Sequence, residues 1–298
     1  MPITLFTATD NHYSVLLAAL LKSIDLNHTS GEKINFYIAG DKLSHKNKRK
    51  LEACAETGRI TIIWVNVKDI LKKKYILPQD NSSFPLIVYI RLLFPYFLPP
   101  LTEKAIYLDV DMIVRKDIST LWNINLDDKV IAGVPDRSLT VSSPWGGIPN
   151  FRELGLDPQT TYYNSGLLLI DCRKWIENRS SEKVLKCVSE NWQYAGFPDQ
   201  YGLNVIFANQ WKELEPQWNN YAYKEDPDPF IIHFIGIKPI YSSYKYIAKY
   251  KKEFYYYLNQ TPWFKFKPYG NHILLLRKLM NKVTKKVNRT LSILGLTG

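Results

Sequence analysis

The sequence predicts an α/β fold, with a sheet covered by helices on both faces. Three observations predict it. Short apolar, β-branched runs alternate with helix-like segments from Ile3 to Val67, the pattern of strands joined by covering helices. The 298 residues are 46% hydrophobic, enough to bury a large core. Aromatic residues make up 14%, which excludes a disordered chain.

The elements follow in order. Ile3 to Thr9 reads as a buried strand. Tyr13 to Leu26 reads as a helix, with Asp10 or Asn11 as its cap. Ile34 to Ala39 and Ile60 to Val67 are strands, separated by a charged helix from Ser44 to Thr57. Ser83 to Leu98 is apolar and aromatic, a helix stopped by Pro99-Pro100. Lys104 to Leu108, Met112 to Val114 and Val130 to Val134 are strands. Asp136 to Tyr162 carries loop chemistry. Tyr163 to Ile170 is a strand broken at Asn164-Ser165-Gly166. Helices from Ser181 to Tyr194 and Gln200 to Ala208 and a strand from Pro229 to Phe234 complete the body. Cys54, Cys172 and Cys187 have no disulfide or metal spacing and read as buried thiols in a reducing compartment.

Charge is unevenly spread. The net charge is +11 overall, yet Lys238 to Gly298 holds 13 basic residues and one acid, a net +12. The other 237 residues are near neutral at −1. That excludes a nucleic-acid enzyme with a basic central groove and points to a local anionic surface as partner. From Asn271 to Leu296, Leu276, Leu279, Val283, Val287, Leu291 and Leu294 recur at helical spacing. Arg277, Lys278, Lys282, Lys285, Lys286 and Arg289 lie between them. A basic amphipathic helix of this kind suits an anionic membrane surface, or packs on the body with its charges solvated. No secretory signal or run of about 18 apolar residues is visible.

Two constellations carry chemistry. Asp109-Val110-Asp111 follows an apolar strand, at the end where ligands of open α/β sheets gather. Two carboxylates there are costly without a counter-charge, and their oxygens suit Mg²⁺ or Mn²⁺. The second is His233-Phe234-Ile235-Gly236-Ile237-Lys238-Pro239. An imidazole completes a Mn²⁺ site, a glycine admits a ligand to the backbone, and an ammonium holds a phosphate. A nucleotidyltransferase also pairs carboxylates with a metal, but Thr7 to Asn11 has no glycine for a phosphate loop.

Five stretches in order resemble glycosyltransferase family 8. They are Thr7-Ala8-Thr9-Asp10-Asn11, Tyr89-Ile90-Arg91-Leu92, Tyr107-Leu108-Asp109-Val110-Asp111, Tyr163-Asn164-Ser165-Gly166 through Trp175, and Pro198-Asp199-Gln200 through Asn204. They span residues 3 to 240. The resemblance implies a GT-A (Rossmann-like) mixed sheet over residues 1–268 and a basic, membrane-associating segment over 269–298. It implies a retaining transferase that takes glucose or galactose from UDP-glucose or UDP-galactose. The acceptor would be a lipid-linked surface glycan, with the enzyme cytoplasmic and peripheral on the inner membrane face.

The implied roles follow the motifs. Asp109, Asp111 and His233 would ligate Mn²⁺ (or Mg²⁺), with Val110 between the carboxylates beside the donor. Ala8, Thr9, Asp10 and Asn11 would contact uracil and ribose. Arg91, Asn164 with Ser165, and Asp199 would hold the transferred sugar, and Gln200 would sit under its anomeric carbon. Gly236 and Lys238 would grip the diphosphate, and Asp136 would meet the acceptor. Three positions depart from the pattern. Thr9 replaces an acidic residue found in some relatives. The stretch from His233 to Lys238 is one residue shorter than usual, and Ile240 stands where a Trp often follows. A degenerate binding protein with no transferase activity is the alternative reading.

Overall fold

The computed structural model describes residues 2–67, 77–78, 82 and 84–293. Its strands are β1 (Ile3–Asp10), β2 (Ile34–Asp41), β3 (Ile60–Asn66), β4 (Lys104–Leu108), β5 (Met112–Val114), β6 (Ile131–Gly133), β7 (Pro135–Thr140), β8 (Thr161–Tyr163), β9 (Leu167–Asp171), β10 (Trp211–Glu213), β11 (Asn220–Tyr221) and β12 (Ile231–His233). Its helices are α1 (Ser14–Asn27), α2 (His45–Glu52), α3 (Ile90–Leu93), α4 (Ile118–Trp122), α5 (Cys172–Glu177), α6 (Ser180–Glu190), α7 (Pro198–Ile206), α8 (Ala248–Leu258) and α9 (Asn271–Ile293).

Seven strands form the main sheet in the order β10-β6-β9-β4-β1-β2-β3. β9 runs antiparallel to both β4 and β6, and the other neighbours are parallel. The sheet is therefore mixed. Successive strand residues serve opposite faces. Leu5, Ile106, Leu108, Leu167 and Leu169 pack with α1 in one core. Phe6, Tyr107, Leu168 and Ile170 pack with Trp175, Val184 and Tyr201 in the other. α1 is apolar on nearly every side because it lies between the sheet and the later elements β5 and α8. Its Lys22 is buried and pairs with Glu56 at 3.0 Å.

Several sequence expectations are corrected. Asp10 and Asn11 do not cap α1: Asp10 Oδ1 accepts from Tyr13 N–H, one residue short of the helix, and Asn11 Oδ1 accepts from Ser44 and Asn47. The charged helix ends at Glu52, because Glu56 and Thr57 turn their N–H groups to the Asp25 carboxylate. Of the helix expected over 83–98, residue 83 is outside the described residues. The rest is a 3₁₀ turn (Leu86–Tyr89), α3 and a second 3₁₀ turn (Phe94–Tyr96). Pro95 removes an amide donor there and prevents a longer helix. The expected loop from Asp136 to Tyr162 contains a hairpin, β7 with β8. Its residues are too polar to show a buried face in sequence. Three short elements had no sequence expectation at all: α4, α5 and β10. β11 and α8 were also unforeseen. All three cysteines are free and buried, and burial pushes each thiol up to about 12. Leu294 lies outside the described residues, and the side chain of Leu291 is not described.

Candidate active site

The site forms where β4 and β9 meet. Asp109 leaves the end of β4, and its N–H donates to Gly166 O at 2.8 Å. β5 then pairs antiparallel with β12, which sets His233 opposite Met112. Phe234 N–H donates to Asp111 O at 2.9 Å and fixes the two segments side by side. Asp109, Asp111 and His233 consequently converge, with one ligand atom from each lying within 4.8 Å of the others. His233 Nε2 is 3.5 Å from Asp111 Oδ1 and 3.8 Å from Asp109 Oδ2. Its other nitrogen, Nδ1, bonds Asn219 Oδ1 at 2.8 Å. An amide oxygen only accepts, so Nδ1 donates this bond and the ring is held with Nε2 facing the two carboxylates. Two hard oxygens and one such nitrogen form a donor set that fits Mn²⁺ or Mg²⁺. The cradle is also tight. A Cβ on Gly166 would lie 2.5 Å from His233 Cε1 and 3.0 Å from Asp109 Oδ2.

Each carboxylate has its own cation. Arg91 is buried and pairs through Nη2 with Asp109 Oδ1 at 2.9 Å, and through Nε with Asp199 Oδ2 at 3.1 Å. Its Nη1 donates to Ser165 O at 2.8 Å, and the guanidinium lies over the Tyr107 ring. Arg91 is therefore no surface residue. Tyr107 OH donates to Asp109 Oδ1. Lys238 pairs with Asp111 and also donates to Phe234 O at 2.9 Å. Burial raises the pKa of Asp109; Arg91 offsets part of this and Asp111 adds to it, leaving the carboxyl above its ordinary value. Burial opposes the charge on Asp111 too, but Lys238 and His233 prevail and hold it well below the usual range.

Beside this centre lies a polar cluster at the β8–β9 break. Asn164 Nδ2 donates to Asp136 Oδ2 at 2.8 Å and to Gln200 Oε1 at 3.2 Å. Gln200 Oε1 also accepts from Ser165 N–H at 3.1 Å, while Ser165 Oγ donates to Asp199 Oδ2 at 2.9 Å. Asp199 and Gln200 occupy the first turn of α7, which aims both at the break. The predicted residues Asp136, Asn164, Ser165, Asp199 and Gln200 thus form one buried network joined to the metal candidates through Arg91.

The predicted donor turn sits next to it. β1 pairs with β4, and Thr7 Oγ1 donates to Leu108 O at 2.7 Å, so Ala8, Thr9, Asp10 and Asn11 emerge beside Asp109. Thr9 is buried, and Val110 is nearly so. Gly236 has φ +72°, and a Cβ there would lie 2.7 Å from Tyr246 Oη. Both the left-handed backbone and the close approach require glycine. Trp175 is fully buried in the core and takes no part in the site.

Sequence reasoning missed four participants. Asn219 fixes the His233 ring and donates through Nδ2 to Asn164 Oδ1 at 2.9 Å. Tyr221 OH donates to Asp136 Oδ2 at 3.1 Å. Tyr107 read only as the opening residue of the stretch that carries Asp109 and Asp111, with no role of its own, and Arg277, which pairs with Asp10 Oδ2, only as part of the tail. A tyrosine directly before Leu108-Asp109 was the one signal that could have been used.

Residues 4–239 match the sequence profile of Glycosyl transferase family 8. The chain belongs to glycosyltransferase family 8. Among relatives, General stress protein A of Bacillus subtilis is 25% identical over 279 residues, covering 86% of this chain and 93% of that one. A lipopolysaccharide 1,2-glucosyltransferase of Escherichia coli is 29% identical over 274 residues, covering 85% and 77%. Glycosyltransferase GlyB of Streptococcus pneumoniae is 27% identical over 251 residues, and there the chain spans 55% of the relative's length. The galactosyltransferase LgtC, solved with donor and acceptor sugar analogues, superposes with a TM-score of 0.71 at 22% identity, covering 87% of this chain and 96% of that one. The bifunctional glycosyltransferase WbbM gives a TM-score of 0.75 at 18% identity, and this chain covers 52% of it. The fold of this family 8 glycosyltransferase is therefore the GT-A fold.

Proposed function

We propose that the protein is a metal-dependent, retaining hexosyltransferase that moves glucose or galactose from a UDP-sugar to a hydroxyl of a lipid-linked surface glycan. The observation that carries this reading is the convergence of Asp109, Asp111 and His233 within 4.8 Å, at the end of β4 in a GT-A sheet. Asp109, Asp111 and His233 would hold Mn²⁺ or Mg²⁺, which supplies positive charge to a departing diphosphate.

The chain's own groups do the rest. Lys238, at the rim of the centre on Asp111, adds a second positive charge on the leaving-group side. Asp136, Asn164 and Asp199 present oxygen and amide groups that hold sugar hydroxyls, and so orient donor and acceptor. Arg91 anchors Asp199 and Asp109 to each other, which keeps sugar and metal positions in register. Gln200 is pinned by Asn164 and Ser165 with its Oε1 as acceptor. A carboxamide is a poor nucleophile, which disfavours a covalent intermediate. Retention then comes from substitution on one face, with the leaving phosphate taking the acceptor's proton. Ala8, Thr9, Asp10 and Asn11 would receive the nucleoside, and Gly236 the diphosphate.

Residues 1–268 form the catalytic unit in this reading, and 269–298 lie on an anionic membrane surface on the cytoplasmic side. α9 exposes Leu275, Leu276, Leu279, Met280, Val283 and Val287, with Lys278, Lys282 and Lys286 also exposed. No helix among the described residues is long and apolar enough to cross a membrane.

A thermal-shift panel of nucleotide sugars with and without Mn²⁺ tests the proposal, because a ligand of the native state raises the melting temperature. The expected result is a Mn²⁺-dependent shift with UDP-glucose or UDP-galactose that Asp109→Asn abolishes. No shift with any UDP-sugar refutes it.

A further inference from the structure

The start of α9 is stitched to the donor side of the site. Tyr269 lies just before the helix and bridges Tyr241. Its N–H donates to Ile240 O at 2.8 Å, and Ser242 N–H donates to its carbonyl at 2.9 Å. The stretch it holds directly follows Lys238. The Tyr269 ring stacks on His12 with centroids 4.5 Å apart, and His12 Nε2 bonds Tyr241 OH at 2.8 Å.

Further along the helix, Arg277 turns inward. It pairs with Asp10 Oδ2, at the end of β1, and its guanidinium lies 5.0 Å from the Tyr13 ring centroid. Asp10 Oδ1 is already taken by Tyr13 N–H at 2.8 Å. One carboxylate of the donor turn is therefore clamped from both sides, locally by the Tyr13 amide just before α1 and remotely by the C-terminal helix. The pair is mostly withdrawn from water, with side chains 26% and 22% exposed. A helix whose only task was to lie on lipid would keep its long cations outward, as Lys278, Lys282 and Lys286 are. Holding a charge pair half-desolvated is stabilising only with good geometry. The parallel bridge at Tyr269 supplies that geometry by fixing where α9 begins.

We propose that Arg277 is a positioning residue of the nucleoside site: it holds Asp10, and with it the turn Ala8–Asn11, in the pose that receives the nucleotide. This rests on the donor assignment made above. The basic segment is then the outer wall of the donor site as well as a surface-binding helix. Nucleotide binding and the seating of α9 are linked, and each tightens the other by the same factor.

The test is a double-mutant cycle on the full chain, with UDP and Mn²⁺ as the probe and calorimetry as the readout. Arg277→Ala is expected to weaken UDP binding about tenfold, the scale of coupling within one charge pair. Asp10→Asn should weaken it similarly, and the double variant should be no worse than either single one. Arg277→Lys restores part of the affinity, which general loosening of the helix would not produce. UDP should also slow hydrogen exchange of α9 amides in the wild type and not in Arg277→Ala. UDP binding by Arg277→Ala within twofold of wild type, or factors that multiply in the double variant, overturns the inference alone. A wild-type chain that fails to bind UDP overturns the donor assignment and the inference together.

Discussion

Replacing Gly166 with alanine adds one methyl group in the middle of the candidate metal centre. The new Cβ would lie 2.5 Å from His233 Cε1, 2.9 Å from Asn164 Oδ1 and 3.0 Å from Asp109 Oδ2. Ordinary carbon–carbon contact is about 3.5–4.0 Å, so the imidazole must retreat by roughly 1 Å. It has little room to do so, because Asn219 holds Nδ1 from behind and Asp109 is tied to Gly166 through its N–H. The backbone itself accepts alanine, since Gly166 is not among the glycines with positive φ. The cost therefore falls on the ligands. Overpacking of this kind costs about 1–3 kcal/mol, which corresponds to metal binding weakened by roughly 5- to 150-fold. Calorimetric titration of wild type and Gly166→Ala with Mn²⁺ measures it, with the metal-free melting temperatures as control. Mn²⁺ affinity within twofold of wild type would refute the steric argument and the ligand set behind it.

Two further outcomes follow from the charge arrangement. Arg91→Met leaves Asp109 and Asp199 without their shared cation and should destabilise the fold by about 3–5 kcal/mol at pH 7. Burial already raises the Asp109 carboxyl and Arg91 offsets part of that rise, so without Arg91 it rises further above its unfolded value, and the penalty grows as pH rises above that value and fades below it. Urea titrations at pH 7 and pH 5 should show a smaller loss at pH 5, and an equal loss refutes the charge argument. Asp117 accepts from the N–H groups of Thr29, Ser30 and Ser119 and pairs with His28. Burial opposes its charge, but those donors hold the carboxyl well below its ordinary range. Its contribution is complete above the unfolded value of about 3.9 and is lost as pH falls below that. Asp117→Asn should cost about 1–2 kcal/mol at pH 7, with the difference from wild type closing towards pH 3.

What could be read in advance depended on how far each contact reaches along the chain. Parallel strands buried on both faces are continuous apolar runs, so β1, β2 and β4 were plain, and the half-buried edge strand β3 was legible from its β-branched residues. Asp109 and Asp111 stood out because charges rarely follow such a run without a purpose. His233 announced itself in the same way after Ile231 and Ile232. Asn219 gave no sign, because its role exists only once β5 and β12 have paired and brought a remote turn behind the imidazole. The hairpin of β7 and β8 was hidden because its strands are largely polar and short. The C-terminal helix was legible as an amphipathic helix, but a helical period says which residues share a side and not what stands opposite. Arg277 shares its spacing with outward-facing lysines, and only the position of Asp10 separates it from them.

The hairpin also has a base that closes on itself. Asn164 N–H donates to Val134 O at 3.0 Å, and Pro135 lies opposite Tyr163 in the ladder. Everything from Pro135 to Tyr163 is thus an excursion that departs and returns at one stalk, beside the joint of Asp109 and Gly166. Lengthening a loop whose ends are already fixed costs only about 0.6 kcal/mol per doubling. The exposed outer part of this arm can therefore lengthen at little energetic cost, while Asp136 at its root stays tied to Asn164 and Tyr162 stays packed in the core. Growth in the arm is thereby uncoupled from the geometry of the site it springs from.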